Sequence, residues 1–198
     1  MVICFGVFIV LSVQAVLAGF PSTPFTDAGL IWLVGTELVL AAAALLFLQA
    51  RGFAVGTLLP EPTARGFLLG IALFFAAWVA GVLVTAPFLQ GAPEQPYQGM
   101  ITEARLSGPT IVLFAMVNGT FEEIFLLGVL VRGLRGFGLS VAVAVPLLVR
   151  VLYHLYQGPV GTLWVLAFGL VFTASYLRTT TLWPPVFAHI LWDIVPFS

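Results

Sequence analysis

Seven long apolar stretches dominate this chain, at roughly 2–20, 28–50, 66–87, 108–131, 137–156, 160–177 and 181–197. Across all 198 residues, 61% are hydrophobic and 8% are charged. A soluble domain carries about 25% charged residues, so this chain could not cover itself in water. In lipid the requirement inverts, because the outer surface must be apolar. A helix crosses the bilayer core with about 20 apolar residues. Strands of a membrane barrel would alternate polar and apolar residues at period two, and these runs are continuous instead. The expected fold is therefore all-α: one polytopic transmembrane bundle of about seven helices, with membrane lipid as its surroundings.

The segments between the runs give the bundle two sides. Arg51, Arg65, Arg132, Arg135 and Arg178 follow the second, fourth and sixth runs, whereas Asp27, Glu94, Glu103 and Arg105 fall on the other side. The positive-inside rule then puts the N-terminus in the cytoplasm and the C-terminus outside. The first run lacks a basic n-region, so it reads as a helix rather than a signal peptide. Pro184 and Pro185 suit the first turn of the last helix. All seven basic residues are arginine, the mark of a GC-rich prokaryotic genome, which makes a prokaryotic cell membrane the expected location. The single cysteine, Cys4, excludes an intramolecular disulfide. A net charge of −1 leaves no footprint for nucleic acid.

A few ionisable residues sit where lipid should exclude them. Glu122 and Glu123 lie within the fourth run, His154 ends the fifth one turn after Arg150, and His189 and Asp193 lie within the seventh. Each intramembrane Arg or Asp costs about 2.5–3.5 kcal/mol on insertion scales, so such residues face one another or a wet cavity. His189 and Asp193 are four apart and share a helix face, as do Arg150 and His154. Asn118 stacks one turn before Glu122. Glu122 and Glu123 point about 100° apart, so their roles should differ. On these run boundaries Glu122 lies nearer the cytoplasmic end and His154 nearer the outer end, a mismatch of about 10 Å at 1.5 Å per residue.

Carboxylates and imidazoles without a serine or cysteine nucleophile suit the activation of water. A buried glutamate can serve as general base and a histidine can share the water or donate a proton. The second histidine could stabilise an oxyanion. No His-Glu-x-x-His and no Gly-x-Ser-x-Gly is present, which disfavours zincin-like and rhomboid-like proteases. No cofactor is expected, although two Glu and two His leave a divalent metal open. A packing role for the same polar set stays open as well.

Glu122-Glu123-Ile-Phe-Leu-Leu127-Gly128, then His154-Leu-Tyr-Gln-Gly-Pro159, then His189-x-x-x-Asp193, together resemble the CPBP family of CAAX prenyl proteases and bacteriocin-processing enzymes, also called Abi. Its pattern is Glu-Glu-x-x-x-Arg, Phe-x-x-x-His and His-x-x-x-Asn or Asp, in that order on successive helices. The resemblance covers about residues 108–197, dividing the chain into N-terminal helices and loops (1–107) and a CPBP-like catalytic core (108–198). It implies an intramembrane glutamic endopeptidase that cuts a membrane-associated protein or peptide. Glu122 and His154 would activate the water, His189 and Asp193 would line the oxyanion side, and Glu123 would orient or share charge. Arg150 and Asn118 are expected to support them. Two positions depart from the pattern: Leu127 replaces the arginine and Arg150 the phenylalanine. Arg150 lies across the expected cavity and could bring a guanidinium to the same carboxylate from the neighbouring helix. The alternative function is a non-catalytic CPBP-like scaffold or bacteriocin immunity-type protein.

Overall fold

A computed structural model describes residues 2–89 and 94–197. All seven apolar runs form helices: α1 (Val2–Leu17), α2 (Asp27–Ala50), α3 (Ala64–Leu89), α5 (Gly108–Glu123 and onward), α6 (Leu139–Tyr153), α7 (Gly158–Thr179) and α8 (Trp183–Ile194). An additional short helix, α4 (Pro96–Thr102), lies in the segment read from sequence as a connecting loop. Its ends are tied by local polar contacts that carry no hydrophobic period. The Gln98 side chain caps the Gln95 backbone N–H at 3.0 Å, and Gln95 Oε1 accepts from the Val160 N–H at 3.2 Å. No strand occurs among the described residues.

Four of these helical segments are long and apolar enough to cross a membrane: Asp27–Ala50, Ala64–Leu89, Gly108–Phe137 and Leu155–Thr179. Helices α1, α6 and α8, with 16, 15 and 12 residues, are shorter than the roughly 20 residues a full crossing takes. The outward faces of the long helices carry Val39, Leu46, Leu68, Leu83 and other exposed apolar side chains. That exposure is what lipid contact demands of a surface. Helix α3 packs against α7 and α8, and α5 packs against α8 and α2. Two apolar clusters fill the interior, one around Leu127, Phe168 and Phe172, the other around Phe5, Phe121 and Phe125.

Local chemistry fixes the helix ends. Thr26 caps α2 by accepting from the Gly29 N–H, and Asp27 accepts from the Ser107 N–H at 2.9 Å, joining the starts of α2 and α5. Pro184 and Pro185 occupy the first turn of α8, as their fixed φ favours. The two sides of the bundle also separate as expected. Arg132 donates to Thr57 Oγ1 at 2.8 Å and Arg135 to the Leu177 carbonyl at 3.0 Å, so the arginine-bearing connections meet at one end.

One expected boundary moves. The fourth apolar run ends at residue 131, but helical backbone continues to Phe137 as one 30-residue span. Arg132 and Arg135 remain on its last turns, reaching polar groups at the interface rather than ending the helix. Glu122 then lies 15 residues from the arginine-rich end of α5, and His154 lies 15 residues from Leu139, the first residue of α6. The two residues are thus equally far along their helices from that end, so the expected mismatch in depth disappears.

Candidate active site

The glutamate pair sits where α5 changes its winding. Regular α-helix runs to Glu123, and π-helical turns occupy Ile124–Val131. Such widened turns occur often beside functional sites. Both glutamates are buried, Glu123 completely. Close helix approach makes this possible at Gly119, where any Cβ would lie 3.1 Å from the Ile190 backbone nitrogen and 3.3 Å from His189 Cβ. Only a missing side chain on α5 lets α8 bring His189 against the pair. Gly169 on α7 does the same for Arg150, whose Cδ would lie 3.0 Å from a Cβ there.

Arg150 crosses from α6 to the pair. Its Nη2 donates to Glu123 Oε1 at 2.7 Å, its Nη1 lies 3.5 Å from Glu122 Oε2, and its guanidinium stacks over the Phe168 ring at 4.9 Å. Leu127, where the CPBP pattern has arginine, is buried in an apolar cluster with Phe168 and Phe172. The positive charge thus reaches the pair from the neighbouring helix. Desolvated ions need such compensation, because an unpaired buried charge costs several kcal/mol.

The histidines differ in their bonds. His154 Nδ1 lies 2.9 Å from the Arg150 carbonyl. A carbonyl only accepts, so Nδ1 carries the proton and, in the neutral ring, Nε2 keeps a lone pair. His189 Nδ1 donates to Glu123 Oε1 at 2.6 Å. Its Nε2 stands 3.9 Å from Glu122 Oε2 and 3.8 Å from Asp193 Oδ1, too far to bond either. Asn118 Nδ2 donates to Asp193 Oδ2 at 2.8 Å, fixing the carboxylate that flanks this nitrogen.

All of these groups except Glu123 and Arg150, which stand behind the wall, line one cavity of about 780 Å³. Glu122 and His154 share it, with no direct hydrogen bond between them among the described residues. Every residue singled out from sequence is therefore gathered in one place. Two were missed. The Tyr153 hydroxyl donates to Glu122 Oε2, and nothing in the sequence distinguishes this tyrosine from an interfacial one. Glu37 of α2 also lines the cavity and is 3% exposed. Its signal was present, an acidic residue in the middle of the second apolar run, so the set of ionisable side chains outside the loops has to include it.

Glu122, Glu123 and His189 offer ligand atoms within 4.8 Å of one another, a spacing that could hold a metal ion. The Arg150 guanidinium already supplies the positive charge on the Glu123 oxygen that such an ion would use. A cation placed there would face Arg150 at close range, so the donor set suits protons and hydrogen bonds better than a metal.

No curated protein and no solved structure matches the chain. Residues 105–195 match the family model for type II CAAX prenyl endopeptidases of the Rce1-like kind. The match spans α5 to α8, the helices that carry both glutamates, Arg150, both histidines and Asp193. Over this C-terminal region, a little under half of the chain, the protein is similar to the Rce1-like type of CAAX endopeptidase.

Proposed function

We propose that this protein is an intramembrane endopeptidase of the glutamic type, hydrolysing a peptide bond in a membrane-associated protein or peptide. The supporting observation is the uneven engagement of the Glu122 carboxylate. Its Oε2 accepts from Tyr153 and faces Arg150, while among the described residues no side chain bonds to Oε1. A carboxylate held by one oxygen and open to a cavity on the other is arranged to take a proton from water. His154, with Nε2 as its free acceptor, shares that water. The hydroxide equivalent attacks the peptide carbonyl, and the proton taken by Glu122 passes to the departing amine.

His189 serves the carbonyl oxygen. With Nδ1 bonded to Glu123, its Nε2 can donate to the developing oxyanion when the ring is charged, and Glu123 compensates that charge. Asp193 as a carboxylate cannot donate to an oxyanion, so it acts through His189, with Asn118 holding its other oxygen. Arg150 keeps Glu123 ionised and in place. A prokaryotic cell membrane is the proposed location, and the substrate is a peptide segment that reaches the membrane interior.

The test is processing by protein reconstituted in liposomes and by cells lacking it, read by comparing membrane proteomes. Glu122→Gln and His154→Ala should each reduce cleavage by about 10²–10⁴-fold, the usual weight of a general base or its partner. Both variants should remain monodisperse in detergent. If both process the native substrate at the wild-type rate, the polar set is a packing network and the protein a scaffold.

A further inference from the structure

Glu37 lies outside residues 105–195, on α2, and has no place in the water-activating set. It is 3% exposed, its Oε2 has no hydrogen-bond partner among the described residues, and it lines the same cavity as Glu122 and Asp193. An intramembrane carboxyl held without a partner costs too much to be incidental.

The charges around it show what it lacks. Glu37, Glu122, Glu123 and Asp193 are gathered with one arginine, and that arginine is committed to the Glu122–Glu123 pair. No arginine lines the cavity among the described residues. Even with His154 and His189 both charged, one negative charge stays uncompensated. With the cavity empty a proton on Glu37 meets the deficit, and a cation brought in from outside can take its place. The walls suit such a cation. Trp78, Trp164, Trp192 and Tyr97 line the cavity, and aromatic faces attract cations in desolvated sites.

We infer that Glu37 is a specificity-determining contact for a basic side chain of the substrate, bound next to the scissile bond inside the aromatic-walled cavity. The inference rests on the endopeptidase reading for what enters the cavity. The N-terminal helices thus contribute selection, and the Rce1-like region contributes chemistry. An arginine in the substrate would give Glu37 two parallel N–H donors and supply the positive charge the interior lacks.

The experiment compares arginine with citrulline, its neutral isostere. A series of fluorescent Leu/Ala-rich dodecapeptides carries one arginine or one citrulline at successive positions. Binding to the full chain is measured by anisotropy in phosphatidylglycerol nanodiscs, whose lipid carries no amine. Cleavage is followed separately by mass spectrometry. At one or two positions the arginine peptide should bind about tenfold tighter or better than its citrulline twin, the factor one charge-assisted hydrogen bond supplies. In Glu37→Gln that ratio should fall to about one. Equal binding of every twin pair by the wild type overturns the inference, and this comparison decides it even where the variant fails to assemble. So does a ratio that survives in Glu37→Gln, or failure of every peptide to bind. A ratio that appears and collapses as expected without any cleavage sinks the endopeptidase reading and leaves the cation site standing.

Discussion

Arg150 is the residue on which the interior depends most, and its removal gives the sharpest test. Arg150→Met keeps the aliphatic stem and removes the guanidinium. The loss includes the 2.7 Å bond to Glu123, the 3.5 Å contact to Glu122 and the stacking over Phe168. Glu123 has no exposure to water and its Oε2 has no partner among the described residues, so solvent cannot replace what is lost. Breaking one side of a buried pair costs about 3–5 kcal/mol, whereas removing both partners is often close to neutral. The double variant Arg150→Met/Glu123→Gln should therefore be destabilised by no more than about 2 kcal/mol, through the bond Glu123 makes to His189. Unfolding by titration with SDS in mixed micelles measures all three free energies, and the coupling should be at least about 2 kcal/mol. Costs that add within about 0.5 kcal/mol would refute the claim that these charges depend on each other. A functional version uses the position where the CPBP pattern has arginine. Arg150→Phe should abolish processing, and Arg150→Phe with Leu127→Arg should restore it. Equal activity in both variants and the wild type would mean that the guanidinium serves no purpose at the pair.

Two other predictions follow from contacts around the pair. Gly119→Val places side-chain atoms where a Cβ is already 3.1 Å from the α8 backbone, and overpacking of this kind costs about 1–3 kcal/mol; thermal denaturation in detergent should show the loss, and processing should fall with it because His189 is pushed away. Since Arg150 already neutralises Glu123, incubation with millimolar EDTA followed by gel filtration should leave cleavage unaltered, whereas loss restored by a divalent ion would assign the Glu122–Glu123–His189 cluster to a metal.

The helices were legible because lipid imposes one requirement on every crossing, an unbroken apolar run. The candidate site was legible for the converse reason, since each residue that violates the run needs a partner. What was not legible depended on distance along the chain. Glu37 broke the same rule as Glu122, but no spacing tied it to the other motifs; only the packing of α2 on α5 brings them to one cavity. The end of α5 was misplaced because arginine followed by glycine resembles a loop, while Arg132 and Arg135 find their polar partners on neighbouring connections without leaving the helix. Helix α4 has no apolar period at all, and its seven residues are held by the Gln95 and Gln98 side chains.

The depth of the site predicts the side from which it is reached. Glu122 sits midway along the Gly108–Phe137 span, and His154 sits at the end of α6 away from the arginine-rich connection. The cavity is lined there by Pro21, Thr23, Gln95, Gln98 and Phe197, which belong to connections or helix ends away from the arginines. A peptide is therefore predicted to enter from the face opposite Arg132, Arg135 and Arg178, and the positive-inside rule makes that face the outer one. Cysteine accessibility tests the assignment, because the native Cys4 is buried and should stay silent. In intact cells Glu103→Cys, exposed near α4, should react with a membrane-impermeant maleimide, and Gly136→Cys, exposed at the arginine-rich end, should react only after lysis. The reverse pattern would place the entrance on the cytoplasmic face and would restrict the substrates to proteins whose cleaved segment is presented from inside the cell.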